Sequence, residues 1–114
     1  MSSIFTGFET NELTFKASSG LKELSPVMLS SSSTVYEPED GEFFCGVCST
    51  IRNGYATIVL HGCATVRYSG VTPPVGYCYL ATDGNGGVCV DNDNGRAILV
   101  VSIDESSKTL EILI

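Results

Sequence analysis

The chain has no tryptophan, one histidine, and six lysines and arginines against 13 aspartates and glutamates in 114 residues. Each shortage excludes something. Six basic side chains scattered from Lys16 to Lys108 form no patch that could neutralise a phosphate backbone. The formal net charge of −7 also disfavours anionic membrane surfaces. No apolar run approaches the ~20 residues of a membrane span. No window of helical length carries a 3.6-residue apolar period. Residues 1–8, Met-Ser-Ser-Ile-Phe-Thr-Gly-Phe, lack a basic start and an apolar stretch. No secretory signal is therefore expected, and the thiols should be reduced. An odd number of cysteines, five, fits free thiols better than a disulfide framework. The missing Trp leaves five Phe and five Tyr as the large core and interface side chains.

What is present is alternation. From residue 55 to residue 68, Ala56, Ile58, Leu60, Gly62, Ala64, Val66 and Tyr68 fall on one parity. Tyr55, Thr57, Val59, His61, Cys63, Thr65 and Arg67 fall on the other. A strand sends successive side chains to opposite faces, so the first set should face a core and the second water or a partner. Gly62 is the point where so long a run could bend and serve two sheets, or two sides of one barrel. The only His therefore sits on an outward strand face, away from any cleft-forming loop.

The rest of the chain reads as short strands and turns. Residues 1–12 form an expected N-terminal arm, with Ile4, Phe5 and Phe8 as its apolar anchors. Plain fraying of a terminus is the alternative. Residues 13–114 form a single β domain, close to the usual domain size and long enough to bury a core without staples. Strands are expected at 13–17, 26–29 (Pro first, where a missing N–H is tolerated), 34–36, 43–48, 77–81, 88–90, 97–103 and 109–113. Residues 97–103 are apolar on nearly both parities and should form a central strand covered on both sides. Asn53-Gly54 supplies the positive φ values of a tight hairpin. Glu37-Pro38-Glu39-Asp40-Gly41-Glu42 reads as a solvated acidic turn, and Gly46 as a bulge or a close approach. Strands at this spacing give the fold class as all-β, a small β-barrel or sandwich with a flexible N-terminal arm and no helix longer than about two turns.

Chemistry is sparse. Cys45 and Cys48, with His61 and Cys63 downstream, are the one constellation with zinc-like ligand types. The spacing argues against a site, because positions i and i+3 of a strand face opposite ways and a second C-x-x-C is missing. A redox C-x-x-C would want a helix N-terminus after it. The expectation is therefore no metal, no cofactor and ordinary thiols packed as small hydrophobes. Asp83-Gly84-Asn85-Gly86-Gly87 has the composition of a phosphate loop without its Lys or helix. Asp91-Asn92-Asp93-Asn94-Gly95 has calcium-friendly oxygens without the spacing of an EF-hand. Both read as turns.

The order of features from residue 41 onward carries a resemblance. Gly41-Glu42-Phe43-Phe44-Cys45-Gly46-Val47 precedes the alternating run, and Leu60-His61-Gly62-Cys63-Ala64-Thr65-Val66-Arg67-Tyr68-Ser69-Gly70 leads into Pro73-Pro74-Val75-Gly76. Leu80-Ala81-Thr82-Asp83-Gly84-Asn85-Gly86-Gly87-Val88, residues 99–104 and residues 108–113 complete it. This resembles the small head decoration, capsid-stabilising proteins of tailed bacteriophages, over residues 13–114 and more weakly before residue 26. The resemblance lies in spacing and turn chemistry, and no role for the cysteines comes with it. It implies a non-enzymatic virion structural protein on the outer surface of the phage head, assembled in the host cytoplasm. The implied partners are the major capsid protein and the chain itself, as a homotrimer, with no nucleic acid and no membrane. Ile4, Phe5 and Phe8 are then the candidates for capsid contact, and Tyr55, Val59 and Cys63 for subunit contact. One rival is a small bacterial β-barrel binding module for a metal or a glycan. The other is a hydrolase or redox protein using Cys45, Cys48 or His61.

Overall fold

The computed structural model describes residues 11–30 and 32–114, which form ten strands and no helix. Five of them close a barrel in the order β1-β3-β2-β4-β5: β1 (Asn11–Ala17), β2 (Pro26–Leu29), β3 (Thr34–Tyr36), β4 (Gly46–Arg52) and β5 (Tyr55–His61). The β1–β3 pair is parallel, and the other barrel pairs are antiparallel. The other five form a sheet in the order β6-β10-β9-β7-β8: β6 (Cys63–Arg67), β7 (Gly76–Thr82), β8 (Val88–Val90), β9 (Arg96–Asp104) and β10 (Thr109–Leu113). This second sheet is antiparallel throughout. A bridge between Tyr68 and Val88 joins its two edges at one end, so the sheet curls around its own core.

The long alternating run crosses from one sheet to the other at Gly62. This residue has φ +116°, a region that L side chains rarely adopt. Its N–H and C=O pair with the C=O and N–H of Ile114 at 2.8 and 2.9 Å. Backbone pairing with the chain's last residue holds the corner, and the strand re-enters as β6 beside β10. Of the two ways a bend could act, the structure has the one that serves two sheets. Asn53 (φ 53°) and Gly54 (φ 81°) close the expected two-residue hairpin between β4 and β5.

Two apolar cores result. Val27, Val35, Cys48, Ala56 and Ile58 fill the barrel. Phe44, Val47, Val59, Ala64, Val66, Tyr68, Leu80, Val88, Ile98, Val100, Leu110 and Ile112 form the other. The second core includes Val47 and Val59, which lie on the barrel strands β4 and β5. The barrel's outer wall is therefore part of the packing that joins the two units. At ~1.5–3 kcal/mol for each fully buried aliphatic side chain, a shared core of this size resists separation of barrel and sheet. Backbone bonds reinforce the join: Arg67 N–H donates to the Leu24 carbonyl at 3.1 Å, and the Arg67 guanidinium reaches the carbonyl of Glu23.

Four expectations change in detail. The strand expected at 43–48 begins only at Gly46 and runs on to Arg52, leaving Phe43 exposed in the segment before it. Asn11 and Glu12 pair with β5, so the first strand starts two residues earlier than the pattern indicated. The acidic turn keeps Glu39, Asp40 and Glu42 exposed, yet its backbone docks on the end of β7. There Gly41 N–H donates to the Thr82 carbonyl at 2.9 Å, and the buried Thr82 hydroxyl reaches the Glu39 carbonyl. β9 is central in its sheet, as expected, but only Ile98 and Val100 are fully buried; Ala97 is exposed and Leu99 half-buried. One face of that strand is open where cover on both was expected.

Candidate interaction surface

The residues singled out for subunit contact do not lie together at one exposed place. Tyr55 is 52 % exposed and sits at the hairpin end of β5. Val59 is only 3 % exposed and belongs to the second core, which corrects the expectation that its parity faces outward. Period-2 patterning sorts two faces of a strand but cannot say whether the outer face of a barrel is covered by another sheet. Cys63 is half-buried in a crevice between the two units that Val59, Leu24 and Glu111 also line. Ile4, Phe5 and Phe8 lie outside the described residues.

The thiols are dispersed. All five cysteines are free. Cys48 points into the barrel core, where burial, with a smaller contribution from the Glu23 carboxylate, pushes its pKa up to about 11. Burial raises Cys45, Cys63, Cys78 and Cys89 above their ordinary value as well. A nucleophilic or metal-binding sulfur needs the thiolate, which these environments disfavour. Among the described residues no three His, Cys, Asp or Glu side chains gather as a metal would require.

The two Gly- and Asn-rich turns use their polar groups on themselves. One Asp83 carboxylate oxygen accepts the N–H groups of Asn85 (2.7 Å) and Gly87 (3.0 Å), and the other accepts the Ser69 hydroxyl at 2.6 Å. The N–H groups that a phosphate would need are aimed at a carboxylate already built into the turn. Asp91 accepts from the N–H groups of Asp93 (3.0 Å) and Asn94 (2.9 Å) in the same way, and these bonds hold its pKa below the ordinary value.

What stands out is the outer face of the second sheet. Pairing places Tyr77 of β7 opposite Leu99 of β9, Leu99 opposite Leu113 of β10, and Leu113 opposite Cys63 of β6. Directly paired residues project to the same side, so these four form one cross-strand row. Tyr79 opposite Ala97 forms a second, shorter row. Tyr77 is 76 % exposed and Tyr79 50 %. Val75, one alternation step before Tyr77, is 66 % exposed. A shallow groove of about 390 Å³ runs along this face between His61, Tyr77, Leu99, Leu113 and Ile114. Arg96 also borders it, but its guanidinium donates to the Phe44 carbonyl at 3.1 Å and stacks over the Phe44 ring. Aromatic and aliphatic side chains gathered on one open face mark an interaction surface more than scattered exposed apolar residues do.

Sequence reasoning missed this face, although its signals were present. Residues 97–103 are apolar on nearly both parities, and Val75, just before β7, shares one parity with Tyr77 and Tyr79. Reading the first as double cover hid the alternative, a strand whose second apolar side waits for a partner.

No family model matches the chain, and no curated protein matches it. Among solved structures, its fold is similar to the crystal structure of the N base of head fiber gp8.5 of bacteriophage phi29, at 13 % sequence identity and a TM-score of 0.67. The match covers 93 % of this chain and 94 % of that one. The two therefore share an all-β architecture over nearly their whole lengths.

Proposed function

We propose that this protein is a non-enzymatic structural component of a tailed-phage virion, a head decoration protein that binds the outside of the capsid and stabilises its lattice. The observation that carries the proposal is the end-to-end fold match with the base of a phage head fiber. Two others support it. The order of motifs from residue 41 resembles phage head decoration proteins. The side chains also offer surface rather than chemistry, with raised thiol pKa values, self-satisfied turns and an open aromatic face.

In this reading the chain acts as a homotrimer, with Tyr55 and Cys63 available to subunit contacts. The major capsid protein is its partner, met by Ile4, Phe5 and Phe8 together with a rim of the β domain. Three arms on one trimer multiply a weak contact through effective concentration. The experiment is co-sedimentation with undecorated heads, followed by heating or osmotic shock. Bound protein should move with the heads and raise the temperature at which they release DNA. Failure of the full-length protein to bind its cognate heads overturns the proposal.

A further inference from the structure

We infer that Asn53 is a site of spontaneous conversion to isoaspartate, and that the fold leaves this Asn-Gly pair reactive while protecting the other two. The chemistry belongs to the isolated chain and does not rest on the head-decoration reading.

The chain holds three Asn-Gly pairs: Asn53-Gly54, Asn85-Gly86 and Asn94-Gly95. In such a pair the glycine N–H gives its proton to hydroxide, and the nitrogen attacks the asparagine side-chain carbonyl carbon. A five-membered imide closes, and Nδ2 takes up a proton and leaves as ammonia. Water then opens the ring at either carbonyl, giving aspartate or isoaspartate. Nothing is oxidised or reduced, and water is the only co-reactant. Glycine allows the attack because it has no side chain to crowd the ring.

At Asn94 the reacting atoms are engaged. Gly95 N–H donates to the Asp91 carbonyl at 2.9 Å, and Asn94 Nδ2 donates to the Asp91 carboxylate at 3.4 Å. Gly95 also lies tightly on β7, where a Cβ would stand 2.7 Å from the Leu80 nitrogen. At Asn85 the glycine is buried. The Asp83 carboxylate holds the N–H groups on either side of it, those of Asn85 and Gly87. A Cβ on Gly86 would touch the Lys22 side chain at 3.5 Å and the Glu37 carboxylate at 3.8 Å. Turning the Gly86 nitrogen toward the Asn85 side chain breaks this packing. The Asp83 charge also opposes the anionic nitrogen that attack requires.

Asn53 has none of these restraints. Residues 52–55 are all exposed, and a Cβ on Gly54 would meet nothing within 4 Å. Among the described residues, no backbone partner holds the Gly54 N–H. Ala17 N–H donates to the Gly54 carbonyl at 2.9 Å, but that oxygen belongs to the next peptide and leaves the reacting nitrogen free. The preceding residue, Arg52, is a cation and favours the anionic nitrogen. Isoaspartate would route the main chain through the former side-chain carbon and lengthen a two-residue loop by one methylene. That loop closes the Arg52–Tyr55 pair of the β4–β5 hairpin, whose pairing sets Val47 opposite Val59 in the shared core. Conversion should loosen the hairpin and add one negative charge beside Tyr55.

The test incubates the folded protein at mildly alkaline pH, with a second sample in urea to give the reactivity of each pair without the fold. Both are digested, and each Asn-Gly peptide is quantified by mass and by isoaspartyl methyltransferase labelling. In urea the three pairs should convert at similar rates. In the folded protein Asn53 should convert several-fold faster than Asn85 and Asn94. Asn53→Gln should remove nearly all methyl acceptance from the folded chain. Comparison of the three pairs within the unaltered chain decides the matter where that variant fails to fold. The isoaspartyl form, isolated by chromatography, should unfold at a lower urea concentration than the parent. Conversion of Asn53 no faster than that of Asn85 or Asn94 in the folded protein overturns the inference. So does methyl acceptance that survives Asn53→Gln. An isoaspartyl form with the parent's urea midpoint overturns the loosening of the hairpin.

Discussion

Val59 and Tyr55 share a strand and a parity but not an environment, and they should respond differently to truncation. Val59→Ala removes two methyl groups from the core joining barrel and sheet. It should cost about 2–3 kcal/mol once the cavity is included. Tyr55→Ala, at an exposed hairpin position, should stay within about 0.5 kcal/mol. Urea unfolding of both variants checks this, and equal midpoints would contradict the shared core. Cys48 gives a pH signature. Its ordinary pKa is 9.0, and the folded state raises it to about 11. The neutral thiol is the folded form, so its contribution is fully present below pH 9.0 and is lost as pH rises through about 11. Cys48→Ala should therefore show a smaller fall in melting temperature across that window than the unaltered protein. Cys45→Ala with Cys48→Ala should keep the fold, at a packing loss of a few kcal/mol at most. Tightly bound zinc that disappears in the double variant would refute the reading of these thiols as packing groups.

At the scale of elements, the decisive feature is the corner between β5 and β6. Gly62→Ala places a Cβ at φ +116°, in backbone already locked to Ile114 by two hydrogen bonds. The substitution should destabilise the protein by about 1–3 kcal/mol, with unfolding still a single transition because the second core spans both units. Separate transitions for barrel and sheet, read by near-UV circular dichroism and calorimetry, would show that the corner and shared core do not couple them. Far-UV circular dichroism should show strand and no dominant helix. Gly46 has a different reason for lacking a side chain. A Cβ there would stand 2.6 Å from the Val59 carbonyl oxygen and 2.7 Å from the Ile58 side chain. Close approach of β4 to β5 was one of the two readings that the apolar run allowed.

For the whole molecule, the proposed trimer and the proposed capsid contact can be tested separately. Sedimentation should show a trimer at micromolar concentration or on capsids, and a monomer under both conditions would reject the subunit proposal. Deleting residues 1–10 leaves β1 intact, because its pairing with β5 begins at Asn11. The truncated protein should keep its fold and oligomeric state and bind undecorated heads more weakly. Equal binding would remove the arm from the capsid contact and leave the function standing.

Some features follow from local rules that hold wherever the segment ends up. Alternation in residues 55–68, the Asn53-Gly54 hairpin, the strand at residues 26–29 behind Pro26 and the self-capped Asp83 and Asp91 turns could all be read because backbone sterics and side-chain period act over a few residues. The sheet to which each strand belongs depends on partners far away in the chain. Val59 faces outward by period and inward by packing, because the core of the second sheet closes over the barrel wall. Ala97 and Leu99 are apolar by sequence and open in the fold, because no described element lies over that side of the second sheet. Alternation could decide that a residue has a face, but only the tertiary arrangement decided what that face meets.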